Sequence, residues 1–204
     1  MRFLYVMDPM CGWCYGFRPE LEAFLANHSG IAVDWIMGGL APDATQPMEE
    51  GLKQTISSYW HQIEARTQVA FNHDFWMLNT PYRSTYPACR AVISAQKLIE
   101  DGAPKMANAI QAAYYQQAKN PSLQNILAEC AHTIGLDKTA FLSSLESTET
   151  EQELQQHLAI SHQLQVSGFP SLFYLDDNNH AHPLALGFCH HKDLEQRFSQ
   201  LQSK

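Results

Sequence analysis

The chain has 204 residues, 45% of them hydrophobic and 17% charged, with 10 Gly and 10 Pro, too apolar for disorder and too regular for low complexity. Lys and Arg number 13 against 21 acids, a net charge of −8, and no basic cluster exists, which argues against a nucleic-acid partner. No apolar run approaches the ~18 residues needed to span a bilayer, so no membrane partner is expected.

Residues 2–7 (Arg-Phe-Leu-Tyr-Val-Met) form a β-favouring run bounded by Asp8-Pro9. The run is cut at Asp8 and has no small-residue cleavage site, so it does not read as a secretory signal and a cytoplasmic protein is expected. A helical pattern follows Cys11 through Leu21, Phe24 and Leu25, with Gly30 available as a left-handed stop. Residues 31–37 read as a second strand, so the front of the chain is β-α-β, which implies a parallel strand pair.

From Thr45 to Val166 the pattern is almost wholly helical, with apolar residues three and four apart over 46–67, 87–100, 103–119, 122–134, 137–147 and 149–165. Gly102 and Gly135 serve as C-terminal glycines, and Thr148 with Glu151 as a capping box. Residues 71–86 read as a loop, in which Phe75, Trp76 and Met77 could border a groove. Tyr59-Trp60 and Tyr114-Tyr115 read as packing residues. β signals return at 171–175 and 183–188 around the turn 176–179, and a last amphipathic helix runs over 192–201. The fold class is therefore α/β, with one sheet domain formed by residues 1–44 and 149–204 and a helical insertion at 45–148.

The chemistry concentrates at Cys11-Gly12-Trp13-Cys14, directly after a strand and at the start of a helix. Residues three apart on a helix share a face, close enough for disulfide geometry. Unpaired N–H groups and the dipole at a helix N-terminus favour a thiolate, the nucleophilic form of cysteine. Cys11, nearer the helix start, attacks or is attacked; Cys14, one turn in and more buried, resolves. A zinc site is the competing reading, but zinc takes four ligands and no second C-x-x-C exists. The only other donors in reach of such a reading are His180, His182, Cys189, His190 and His191, on a turn and a helix start where histidines are ordinarily solvated. No metal is expected. Cys89, Cys130 and Cys189 are far apart and read as buried small hydrophobes. Val166-Ser167-Gly168-Phe169-Pro170 precedes a strand, and a proline there begins the strand with a bend, in a cis or an ordinary trans form.

Taken together, these features resemble the thioredoxin fold with an inserted all-helical domain, the DsbA-like arrangement, over essentially the whole chain. Asp8-Pro9-Met10-Cys11-Gly12-Trp13-Cys14-Tyr15-Gly16 is similar to the active-site motif of the cytosolic FrnE-like and protein disulfide isomerase branch. Pro19 matches the helix-kinking proline, and Val166–Pro170 the cis-proline loop that faces the thiols. The resemblance implies a thiol–disulfide oxidoreductase with Cys11 as nucleophile, Cys14 as resolving thiol, Gly12 and Trp13 between them, and Phe169 and Pro170 binding substrate. Its partners are protein thiols and disulfides or glutathione, with no bound cofactor. Two alternatives remain open: a glutathione-dependent transferase or isomerase of the kappa-like branch, whose members carry Ser at the first motif position, and a zinc-binding interaction module. The chain departs from thioredoxins at Tyr5, where they hold a buried Asp. Asp8 reads first as a solvated strand-end residue and second as a substitute for that acid, Glu20 and Glu22 as solvated helix charges, and Asn79, Thr80, Arg83 and Arg90 fall where relatives place residues near the site.

Overall fold

The computed structural model describes residues 1–202, so the last two residues of the expected C-terminal half lie outside the described residues. The order is β1 (Arg2–Met7), α1 (Gly12–Asn27), β2 (Ala32–Met37), α2 (Glu50–Thr67), α3 (Phe75–Leu78), α4 (Tyr86–Leu98), α5 (Gly102–Gln111), α6 (Gln124–Thr133), α7 (Lys138–Leu145), α8 (Thr148–Gln163), β3 (Ser171–Leu175), β4 (Ala181–Leu186) and α9 (His191–Gln202). The sheet order is β2-β1-β3-β4. β1 pairs β2 in parallel, with Tyr5 opposite Trp35, and pairs β3 antiparallel, with Tyr5 opposite Leu172.

β1 is central and covered on both faces, which is why its sequence is a nearly unbroken apolar run. Phe3, Tyr5 and Met7 join a core with Phe17, Leu21 and Phe24 of α1 and Leu194 and Phe198 of α9. Leu4 and Val6 point the other way, onto Phe173, Ile160 of α8, and Leu164 and Val166 just beyond its end. The first core runs on without a break into the helices between β2 and β3, through Tyr15, Trp60, Phe71, Phe75 and Tyr115.

Several local expectations shift. Gly30 is not left-handed; α1 stops at Asn27 with His28 as its cap. After α4 the left-handed residue is Asp101 (φ 55°) rather than Gly102. Gly102 instead opens α5, where a Cβ would lie only 1.9 Å from the Ala95 carbonyl oxygen. The cap of α8 is one residue earlier than the expected box: Ser147 Oγ accepts the Thr150 N–H at 3.2 Å. The stretch expected as one helix over 103–119 breaks at Gln111 into a π turn, Ala112–Gln116. The wider turn lets the adjacent Tyr114 and Tyr115 both face inward. The loop at 71–86 contains the short α3. β4 lies two residues earlier than 183–188, and Pro183 sits within it opposite Phe173, beside an irregularity at Leu172/Phe173. β4 is an edge strand, where a missing ladder N–H is tolerated.

The seam between α8 and β2 carries a titratable contact. His157 Nδ1 accepts the Met37 N–H at 3.1 Å, so that nitrogen must be unprotonated. Burial holds His157 below its ordinary value, against the pull of Glu153 and Asp34 and with a small contribution from Lys97. A depressed histidine resists protonation in the folded state, so its contribution is lost as pH falls from about 6.5 through the folded value. Unfolding midpoints in urea should therefore drop over that window, and His157→Gln should flatten the slope; an equal slope in both proteins would exclude His157 as the source.

Candidate active site

Cys11 is the N-cap of α1, in extended backbone, and Gly12 to Cys14 form the first turn. The turn is anchored from behind: the Cys11 N–H donates to the Asp8 carbonyl at 3.0 Å, and the Met10 N–H to Asp8 Oδ1 at 2.8 Å. Both motif cysteines are free thiols. Cys14 is fully buried, while Cys11 keeps 7% of its surface and lines an open cleft. The Cys11 thiol points at the Phe169 carbonyl oxygen, 3.7 Å away. The strand-entry loop of β3 and the start of α1 thus meet across 158 residues of sequence. The Phe169–Pro170 bond is cis.

The two thiols sit in different electrostatic surroundings. Burial pushes Cys14 well above the ordinary thiol value, and its contact with Cys11 raises it further, partly offset by the Asp8 backbone N–H aimed at the sulfur. Tyr5, at the position where a buried acid was absent from the sequence, has its hydroxyl against Cys14; burial and the neighbouring thiols push it well above 10.0. Tyr5 is therefore neutral and acts here as a hydrogen-bonding group. Asp8 corrects the sequence reading: it is fully buried. Its Oδ2 accepts the Leu40 N–H (2.7 Å), the Thr85 hydroxyl (2.6 Å) and the Cys89 thiol (3.5 Å). One carboxylate joins the end of β1, the loop after β2 and the start of α4, directly behind the motif.

Gly12 and Gly38 are both closely approached by side chains. A Cβ on Gly12 would lie 2.7 Å from Ile63 Cδ1 of α2, the end of a side chain that need only turn aside. A Cβ on Gly38 would lie 2.1 Å from the Phe169 ring. Gly38→Ala should swing that ring aside and shift the carbonyl opposite Cys11. We expect disulfide exchange slowed several-fold with the fold retained, read from exchange kinetics alongside the unfolding midpoint; unchanged kinetics would mean the Phe169 position does not matter.

The cleft beside Cys11 has a volume of about 420 Å³. Met10, Cys11, Gly12 and Trp13 form its floor, Phe169 one lip, and Met48, Leu52, Ile56, Tyr59 and Ile63 the facing wall, with Tyr82, Tyr114 and Arg83 at the side; among the described residues Arg83 is the only charged one lining it. Trp13 also packs against Phe188. The sequence reading placed a groove border at Phe75, Trp76 and Met77, and the structure places it elsewhere. Phe75 and Trp76 are buried and Met77 is exposed. The wall is α2, whose Leu52, Ile56, Tyr59 and Ile63 repeat at helical spacing, an apolar stripe more exposed than a core face. Tyr59, expected to pack, is half-exposed there, whereas Trp60, Tyr114 and Tyr115 are buried. Tyr15 ties the motif helix to this block: it stacks on Tyr115 at 4.6 Å and donates to the Ala70 carbonyl at 3.1 Å.

Of the remaining candidates, Asn79 bonds the Ala118 and Phe75 carbonyls and Arg90 clamps Asp43 and Glu151; neither lines the cleft. Cys89 and Cys130 are buried, but Cys189 is half-buried. Glu20 is not a free helix charge: it accepts from His190 Nδ1 (3.0 Å), the His191 N–H (2.7 Å) and His191 Nδ1 (2.9 Å). Burial works against ionisation, but those hydrogen bonds outweigh it and hold Glu20 at about 2. His182 and His180 similarly face Asp176. Glu22 meets Arg18 at 3.8 Å and stays exposed.

A four-stranded mixed sheet, a dithiol at the N-terminus of the first helix and a cis-proline loop facing it together define a thioredoxin-fold protein with a DsbA-like helical insertion. A family model described as thioredoxin matches residues 3–195, and the chain belongs to that family. Among solved structures it is similar to a candidate protein disulfide isomerase from Nitrosomonas europaea, at 27% identity and a TM-score of 0.88 over 98% of this chain and 97% of that one. It is similar also to the cytosolic disulfide reductase DsbM of Pseudomonas aeruginosa, at 25% identity and a TM-score of 0.82 over the full length of both; that protein has also been solved with GSH. A curated relative is the ClpXP adapter protein SpxH of Bacillus subtilis (strain 168), 22% identical over 83% of this chain and 56% of that protein. The chain spans just over half the length of the curated relatives it matches.

Proposed function

We propose that the protein is a thiol–disulfide oxidoreductase working through Cys11 and Cys14. The observation that carries this reading is the asymmetry of the pair: Cys11 lines an open cleft at a helix N-terminus, while Cys14 is sealed beneath it and held as a neutral thiol. In the reducing direction, the Cys11 thiolate attacks one sulfur of a substrate disulfide. A mixed disulfide forms and the other substrate sulfur leaves as a thiolate. Cys14 then gives up its proton, attacks the Cys11 sulfur and expels the second substrate thiolate. The substrate has gained two electrons and the protein holds a Cys11–Cys14 disulfide. The oxidising direction is the same path reversed. Phe169, beside Pro170, presents its carbonyl next to Cys11, where an extended substrate segment can pair with it by strand addition.

Residues 1–44 and 149–204 would be the catalytic domain and 45–148 the insertion, whose α2 supplies the cleft wall. The cleft is mostly apolar, with Arg83 as its one cation among the described residues. That suits a cysteine-bearing peptide with apolar neighbours or a small anionic thiol such as glutathione, the ligand named in the DsbM structure. No helix is long and apolar enough to cross a membrane among the described residues. In a reducing compartment such as the cytosol named for DsbM, the pair would rest mainly reduced and act as a reductase or isomerase. The test is to equilibrate the protein with glutathione buffers, trap the thiols with alkylating reagent and read the Cys11–Cys14 redox state, while following reduction of a model protein disulfide. A pair that forms no disulfide at any glutathione ratio would end this reading.

A further inference from the structure

We propose that His61, Glu64 and His73 form a binding site for one divalent transition-metal ion of the zinc class, separate from the dithiol. The three donors come from two elements. His61 and Glu64 lie one turn apart on α2 and so share a face; His73 is carried by the segment that leads into α3. One ligand atom from each lies within 4.8 Å of the others. Glu64 Oε2 is 2.8 Å from His73 Nε2 and 3.7 Å from His61 Nδ1. Ligands ~2.0–2.2 Å from a tetrahedral zinc stand roughly 3.3–3.5 Å from each other, and the two observed separations bracket that spacing. Small side-chain adjustments would suffice to bind an ion.

The donors are positioned before any ion arrives. Glu64 Oε1 accepts the Phe71 N–H at 2.7 Å, which fixes the carboxylate, while Oε2 makes the 2.8 Å contact with His73 Nε2 that an ion would replace. Asn72, next to His73, is pinned to the insertion: its N–H donates to the Tyr115 carbonyl at 2.6 Å and its side chain to that of Gln116 at 3.1 Å. The imidazoles of His61 and His73 stack with centroids 4.0 Å apart and planes 8° apart, and His61 Nδ1 and His73 Nε2 both lie within 3.7 Å of Glu64 Oε2. At 3.7 Å the His61 nitrogen is too far from that oxygen to hydrogen-bond well. A cation between them would satisfy both rings and the carboxylate together. Two imidazoles and one carboxylate suit zinc, nickel or copper better than calcium or magnesium, which prefer all-oxygen shells. His61 is 66% exposed, so the remaining coordination position opens to solvent. An ion here would fasten α2, which carries Ile63 over the active-site turn, to the segment that carries Phe71.

The test uses full-length Cys11→Ser/Cys14→Ser protein, so that the dithiol cannot take the metal. Zinc and nickel are titrated by calorimetry, with melting followed in parallel. We expect one ion per chain and a melting temperature that rises with zinc, because an ion that binds only the folded state stabilises it by mass action. His73→Ala should weaken binding by about tenfold or more and remove the thermal shift. His61→Ala, at an exposed position where misfolding is no concern, should do the same, and His182→Ala should change neither. No saturable binding at millimolar zinc, or binding indifferent to both His61 and His73, would overturn the proposal.

Discussion

Cys11→Ser is expected to abolish disulfide exchange, with a loss of at least about a thousandfold, because in the proposed mechanism it removes the group that would bond to substrate. Cys14→Ser should behave differently. Its Cys11 can still attack, but nothing resolves the product, so mixed disulfides with substrate should accumulate. The structure supplies the reason for the asymmetry. Cys11 lines the cleft beside the Phe169 carbonyl, whereas Cys14 is fully buried and its pKa is pushed up by burial and by Cys11. On the proposed mechanism a substrate sulfur would reach the first thiol and not the second. The measurement is acid quenching followed by non-reducing gels of the two variants after exposure to a disulfide-bonded substrate. Adducts on Cys14→Ser and few on Cys11→Ser are the expected outcome. Equal trapping would show that the order of attack is wrong.

What the sequence carried and what it hid separate along physical lines. The apolar run Arg2–Met7, the thiol pair at the strand-to-helix junction and the proline before Ser171 are local signals, and each is marked by composition, spacing or a turn residue. The β-α-β front and the helical stretch after β2 follow from the same signals. The misplaced features of the site depend on partners distant in sequence. Nothing near Asp8 says that Leu40, Thr85 and Cys89 converge on it, so a carboxylate at a strand end reads as solvated. Glu20 reads as a surface charge until α9 brings His190 and His191 to it, 170 and 171 residues away. The groove wall was misassigned for a related reason. Leu52, Ile56, Tyr59 and Ile63 look like an ordinary core stripe, and only the approach of α2 to Gly12 leaves part of that stripe open beside Cys11. The π turn at Ala112–Gln116 has no composition of its own; it exists because Tyr114 and Tyr115 both pack among Trp60, Phe71 and Phe75. The two motifs were legible singly, and the cleft they share was not.

Asp8→Ala should destabilise the protein by about 3 kcal/mol or more, a loss that the exposed acids of this chain would not produce. The carboxylate accepts from the Met10 and Leu40 N–H groups, the Thr85 hydroxyl and the Cys89 thiol. Truncation leaves two backbone donors buried without partners, at about 1–3 kcal/mol each, and opens a gap between β1, the loop after β2 and α4. Thr85 suffers less, since its hydroxyl also contacts Ala41. Asp8→Asn is the discriminating variant. It keeps the shape and one acceptor, but turns an amide NH₂ toward donors on one side, so an intermediate loss is expected. The pH dependence has a definite sign. Burial raises Asp8 above 3.8, and the four donors offset this only in part. A raised acid binds its proton more readily folded than unfolded, so its contribution to stability falls as pH rises from 3.8 through the folded value. The advantage of the wild type over Asp8→Asn should therefore grow as the pH is lowered through that window, against the opposite trend from the low-lying Glu20 and Asp176, which both proteins share. Urea midpoints of the three proteins across the acid range measure both effects. If Asp8→Ala stays within about 1 kcal/mol of wild type, the carboxylate does not hold the three segments together.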